Sequence, residues 1–197
     1  MERLAETFLP TKWGNFKMIA YASKNVDMPH LALVSQNFDS KLTPTVRLHS
    51  ECLTGDLFGS VRCDCGEQLA KALETINEKG GAVIYLRQEG RGIGLINKMK
   101  AYNLQDTGFN TVDANVHLGF EADTRDYDVA IQILENLGIQ ILNLMTNNPE
   151  KLQAFDKSTI EIASRVPIII PPKSQNLAYL TVKQDLMGHL LNLKKKD

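Results

Sequence analysis

A chain of 197 residues, 43% hydrophobic and 23% charged, is long enough to bury a sizeable core and has the ordinary balance of a globular domain. Its net charge of −1 provides no global basic field, which counts against nucleic acid or a membrane surface as partner. No apolar run approaches the ~18 residues of a membrane span, and the opening MERLAETFLPTKWGNFK lacks the apolar stretch of a secretory signal. One domain over 1–197, in the cytoplasm, is therefore expected, with the basic run Lys194, Lys195 and Lys196 as a solvated tail.

Strand patterns lead the chain, at 16–21, 31–34 and 45–49, separated by polar, proline-containing turns. EQLAKALETINEKG then places Leu69, Ala72, Leu73 and Ile76 at helical spacing, and Gly80-Gly81 stops it. AVIYLRQ, 82–88, reads as a buried strand. The segment 94–108 reads as a helix with Leu95, Met99 and Tyr102 on one side. The second half repeats the rhythm. A helix over 126–138 turns Val129, Ala130, Ile133, Leu134 and Leu137 inward, a strand follows at 139–146, and NNPEKLQAF starts a helix with Pro149 in its first turn. A strand at 161–170, a turn PPKSQN and a helix over 176–191 close the chain. Alternating strands and helices predict an α/β fold, a mixed sheet with helices on both faces and a strand-rich N-terminal part.

All three cysteines sit in CLTGDLFGSVRCDCGEQ: Cys52, ten residues, then Cys63 and Cys65 around Asp64. An odd number in a reduced compartment argues against a disulfide framework. Two cysteines one residue apart can grip a single ion if the backbone turns between them, and a third completes a three-sulfur face with one vertex left for water, the arrangement of catalytic zinc. Inert core cysteines are the plainer reading; Arg62, Asp64, Glu67 and the glycines 55, 59 and 66 disfavour it. His49 as a fourth ligand would make the site closed and structural. RLHSEC also contains the H-x-E of zinc nucleobase deaminases, without the P-C-x-x-C that should follow.

Three further segments are double-edged. RQEGRGIG follows a strand and opens a helix, with Gly90, Gly92 and Gly94 around Arg91. It is an ordinary glycine-rich loop or an anion site, and neither the dinucleotide nor the Walker spacing is met. TNNPEK is a capped helix start or a ligand site at a strand end, with Lys151 within reach of a phosphate. EADTRD is a first-turn acid cluster, or it supplies Asp123 as base and Arg125 as electrostatic clamp. Tyr102 is a core aromatic or a catalyst.

Taken together, RLHSECLTGDLFGSVRCDCGEQL, RQEGRGIGLINKMKAYNLQD, NVHLGFEADTRDY and TNNPEK, in that order and with MGHLL near the end, resemble the GTP cyclohydrolase II family across essentially the whole chain. The resemblance implies Cys52, Cys63 and Cys65 as ligands of one zinc per chain with water in the fourth position. It implies GTP contacts by Arg47, Leu48, His49, Ser50, Glu51, Gln68, Glu89, Gly90, Arg91, Thr111, Thr146 and Lys151, with Mg²⁺ on the triphosphate. Asp123 and Arg125 correspond to the family's proton acceptor and nucleophile, and Tyr102 to a residue assisting the ring chemistry. The implied reaction opens the guanine imidazole ring with loss of C8 as formate, releases pyrophosphate, and begins riboflavin biosynthesis in a homodimer. At this length the chain resembles the single-function form, without a dihydroxybutanone-phosphate synthase domain. A non-catalytic zinc module and a Rossmann-type oxidoreductase are the rival readings, the second disfavoured by the glycine spacing.

Overall fold

Strand β5 (Gly81–Leu86) shows how the sheet comes to be covered on both faces. Side chains alternate along a strand, so Ala82, Ile84 and Leu86 enter one apolar cluster while Val83 enters another. The first cluster draws on helix α5 (Asp128–Asn136), through Ala130, Ile131, Ile133 and Leu134. The second draws on helix α2 (Cys65–Lys79), through Ala72, Leu73 and Ile76. Helices on opposite faces of one sheet follow from these two memberships, as the sequence predicts.

The computed structural model describes residues 1–22, 28–121 and 123–193; the lysine run at 194–196 lies outside them. Chain contacts divide the protein into two units. The first comprises Met1–His49, Gln68–Arg87 and Asp126–Ile168. It carries the seven-stranded sheet, ordered β1-β2-β3-β5-β4-β6-β7, with β1 Arg3–Thr11, β2 Gly14–Tyr21, β3 His30–Ser35, β4 Thr45–Ser50, β6 Ile141–Met145 and β7 Glu161–Val166. β1, β2, β3 and β5 pair antiparallel in succession, whereas β4 pairs parallel with β6 and β6 with β7. The sheet is mixed, and the N-terminal part is strand-rich.

The second unit comprises Ser50–Glu67, Gln88–Arg125 and Ile169–Asp197. Its described elements are mainly helical: α1 (Leu53–Asp56), a 3-10 turn Glu89–Gly92, α3 (Gly94–Asp106), α4 (Thr111–His117) and α7 (Leu177–Asp185). The short helix α6 (Pro149–Gln153) belongs to the first unit.

Four sequence expectations shift. Strand β1 has no counterpart among the predicted strands, because its residues are almost all exposed and leave no buried period to read. The strand predicted at 161–170 ends at Val166, where Pro167 removes the next ladder donor. The last helix stops at Asp185 rather than 191. The buried residues of α3 are Lys98 and Ala101, while Met99 is 56% exposed. A lysine sits where an apolar residue was expected to define the stripe, for reasons given below.

Gly81 illustrates how tightly the sheet is built. It has φ +153°, and a Cβ there would lie 1.8 Å from the Thr45 carbonyl oxygen. That obstacle is backbone and cannot rotate away. Gly81→Ala is expected to cost about 3 kcal/mol or more, checked by urea denaturation against wild type.

Candidate functional site

The second unit gathers the thiols. Among the described residues, Cys52, Cys63 and Cys65 form a group with all three Sγ atoms within 4.8 Å of one another. Cys52 is the N-cap of α1 and Cys65 the first residue of α2. Asp56 folds back to accept the Cys52 backbone N–H at 3.0 Å, which fixes that turn. Two glycines let the pieces meet. A Cβ on Gly66 would stand 2.3 Å from the Gly55 carbonyl oxygen, and one on Gly55 would meet the Cys63 and Cys52 sulfurs at 3.1 and 3.2 Å.

This donor set suits zinc. Tetrahedral Zn–S bonds of ~2.3 Å place neighbouring sulfurs about 3.8 Å apart, and the Cys52 and Cys63 sulfurs are 3.7 Å apart. The three thiols share charge unevenly among themselves. Cys52 is drawn far below the usual thiol range by hydrogen bonds from Cys63 and Cys65, with the Lys98 ammonium adding to this. Cys63 is pushed up to about 11, chiefly by its hydrogen bond to Cys52, and Cys65 rises for the same reason and through burial. Three thiolates this close repel one another, and a divalent cation among them removes that conflict.

Lys98 is the residue that sequence reasoning missed. Its Nζ donates to Cys52 Sγ at 3.1 Å and to Glu89 Oε1 at 2.8 Å, with both side chains of the ion pair about nine-tenths buried. Burial pulls the ammonium down, but the Cys52 sulfur and Glu89 outweigh it and raise it above the ordinary lysine value. Glu89 also accepts from the backbone N–H groups of Leu53 (2.6 Å) and Gly90 (2.8 Å). Nothing in INKMK separates Lys98 from the exposed Lys100; only the fold supplies its partners. Lys98→Met should destabilise by about 3–5 kcal/mol by stranding the Glu89 charge. Lys98→Met/Glu89→Gln should recover most of that loss, as read by chemical denaturation.

Tyr102 is near the trio through one intermediate. Its hydroxyl lies 3.3 Å from Thr54 Oγ1, itself 3.7 Å from Cys52 Sγ. Burial raises the phenol. Arg62, which grips Asp106 with two 2.9 Å hydrogen bonds, has its Cζ 5.0 Å from the Tyr102 ring centroid.

The glycine-rich loop and the acidic segment meet within this unit. Arg91 has φ 63°, left-handed backbone for a residue with a side chain, and its carbonyl accepts from the Thr124 N–H (3.1 Å) and hydroxyl (2.9 Å). Its Nη1 and Nη2 atoms are buried without a hydrogen-bond partner among the described residues. On either side of Thr124, Asp123 receives the Arg125 backbone N–H at 3.1 Å, its Nε at 2.8 and 3.1 Å, and its Nη2. Gly90 belongs to the same 3-10 turn as Arg91. Thr111 is the first residue of α4, behind the Asn110 cap. Ser50 Oγ lies 3.5 Å from Gln88 Oε1, and Glu51 is partly buried.

The remaining predicted contacts lie in the first unit. Arg47, on β4, is buried and donates to the Met145 carbonyl at 3.1 Å and to Gln68 Oε1. The Leu48 carbonyl accepts from Lys151 Nζ at 2.7 Å. His49 stacks on Tyr85 with centroids 5.5 Å apart, and the sulfur group contains no histidine. The Thr146 hydroxyl accepts from the Asn148 N–H at 3.0 Å, and Asn148 caps α6. TNNPEK is thus a capped helix start, and Thr146 and Lys151 are both buried there.

The chain matches the GTP cyclohydrolase II family over residues 2–167. It is 50% identical over 193 residues to the riboflavin biosynthesis protein RibBA of Chlorobium phaeovibrioides, covering 98% of this chain and 47% of that protein. It is 51% identical over 192 residues to RibBA of Bacillus cereus, covering 97% and 48%. The chain therefore spans about half the length of the curated relatives it matches. A solved structure of RibBX from A. baumannii, a two-domain 3,4-dihydroxy-2-butanone 4-phosphate synthase, aligns at TM-score 0.47 and 19% identity over 84% of this chain and 40% of that one. With a match that runs through the cysteine cluster, the glycine-rich loop, Asp123, Arg125 and TNNPEK, the chain belongs to the GTP cyclohydrolase II family.

Proposed function

We propose that this protein hydrolyses GTP, opening the guanine imidazole ring with loss of C8 as formate and releasing pyrophosphate. The product is 2,5-diamino-6-ribosylamino-4(3H)-pyrimidinone 5′-phosphate, the first intermediate of riboflavin biosynthesis. The observation that carries the proposal is the convergence of Cys52, Cys63 and Cys65 on one point within a family-matched segment.

In this reading the three cysteines would hold one zinc ion, with water as its remaining ligand. When bound, the ion supplies Lewis acidity for hydrolysis at C8. Lys98 donates to the Cys52 sulfur and offsets part of the charge of three thiolates. Thr54 and Tyr102 provide hydroxyls beside the trio to pass a proton from the reacting water.

Arg91 is assigned to the triphosphate, with Mg²⁺ as its companion cation. A guanidinium whose two Nη atoms are buried without a hydrogen-bond partner among the described residues is suited to receive an anion. Glu89, Gly90, Thr111, Ser50 and Glu51 are proposed as further GTP contacts in the second unit, and Arg47, Leu48, His49, Gln68, Thr146 and Lys151 in the first. Asp123 orients Arg125, and Arg125 acts as an electrostatic clamp on the α-phosphate rather than as a nucleophile.

A homodimer and a cytoplasmic location complete the proposal. No helix among the described residues is long and apolar enough to cross a membrane, and three free cysteines suit a reducing compartment. The experiment is direct. Zinc-loaded protein with GTP and Mg²⁺ should release formate and pyrophosphate in equal amounts; release of neither overturns the assignment. Light scattering on the same sample reads the dimer.

A further inference from the structure

Asp64 stands between two of the cysteines and is 2% exposed. For Cys63 and Cys65 to face one point, the side chain between them must turn away, and here it turns into the protein. A buried carboxylate needs a partner. Lys183, on α7, places its Nζ 3.4 Å from Asp64 Oδ1 and 4.6 Å from the centre of the Tyr179 ring. Its own side chain is 12% exposed, so this is not a solvated surface pair.

A second tie runs alongside. Asn176, fully buried at the start of α7, donates from Nδ2 to the Cys63 carbonyl at 3.4 Å and accepts the Lys173 N–H at 2.8 Å. Leu180, 1% exposed, anchors the middle of the helix. A third contact, Lys173 to Glu67 at 2.9 Å, is exposed on both sides and adds little. Every one of these donors lies beyond residue 167, where the family match ends.

We infer that α7 is a positioning element of the cysteine trio, with Lys183 holding Asp64 inward so that the Cys63 and Cys65 sulfurs converge. Lys183 acts through Asp64, as its 3.4 Å contact with that carboxylate allows. The inference rests on the zinc reading above and extends it to a segment beyond the family-model match. Outer partners that orient metal ligands typically change metal affinity by about 10–100-fold when removed.

The test is zinc release from the full chain to a colorimetric chelator, with cobalt-substituted protein as a spectroscopic companion. Lys183→Met should release zinc about 10–100-fold faster than wild type and shift the thiolate-to-cobalt charge-transfer band. Lys183→Arg should fall between them. Wild-type release with an unchanged cobalt spectrum overturns the inference. Should Lys183→Met fail to fold, Asp64→Asn/Lys183→Met removes both charges of the pair and carries the same test. Fast release from the double variant supports positioning; wild-type release from it means that Lys183 only neutralises Asp64, and sinks the idea. A wild-type protein that takes up no zinc overturns the metal reading instead.

Discussion

Cys52→Ser is expected to abolish stoichiometric zinc binding and to cut formate release from GTP at least about a thousandfold. Serine keeps the volume but not the donor: a neutral hydroxyl is a poor ligand for a borderline-soft ion, and two thiolates alone do not close a tetrahedral set. Lewis-acid stabilisation by a bound metal is worth several kcal/mol, and about 4 kcal/mol corresponds to a factor of roughly a thousand. The same change replaces the thiolate beside Lys98, whose Nζ lies 3.1 Å from that sulfur, with a neutral hydroxyl, and leaves Glu89 as the charged acceptor there. Metal analysis of the purified variant and a formate assay with added zinc read the two effects separately. A variant that keeps one zinc per chain and normal formate release shows that the trio is not the metal site of this reaction.

The cysteine trio was legible because its signal is local. Residue type, a spacing of one and ten, and two glycines that clear the approach all lie between 52 and 66. The sheet was legible for the same reason: AVIYL is a short, unbroken apolar run that reads as a buried strand, and Val83 and Ile84 reach opposite clusters. What was hidden depends on partners distant in the chain. Lys98 meets a sulfur 46 residues away, and Lys183 meets Asp64 across 119. Charged side chains on helices ordinarily face water, so no periodicity marks the two that do not. The misjudged face of α3 has the same origin, since burying Lys98 beside Glu89 turns Met99 outward. β1 was hidden for the opposite reason, being an edge strand whose side chains bury too little to print a pattern.

Arg125 provides the second large effect, and the outcome distinguishes two chemistries. Arg125→Ala is expected to slow pyrophosphate release by about a hundred- to a thousandfold, the usual consequence of losing a charge aimed at a developing anion. Arg125→Lys should keep most of that step, because a clamp requires a cation and not a guanidinium. The geometry favours the clamp. A guanidinium must lose a proton to attack phosphorus, and at neutral pH that costs at least about 7 kcal/mol before any bond forms. Here the cost has a further component. Asp123 already fills the guanidinium fork, at 2.8 and 3.1 Å from Nε and also bonded to Nη2, with both side chains nearly nine-tenths buried. Taking that proton would break a bidentate ion pair held mostly out of water, whereas a charged Arg125 keeps it intact and still presents a positive edge. Rapid-quench release of pyrophosphate from wild type and the two variants, followed by intact-protein mass analysis, decides between them. A guanylyl adduct on Arg125, or a lysine variant as slow as the alanine one, defeats the clamp.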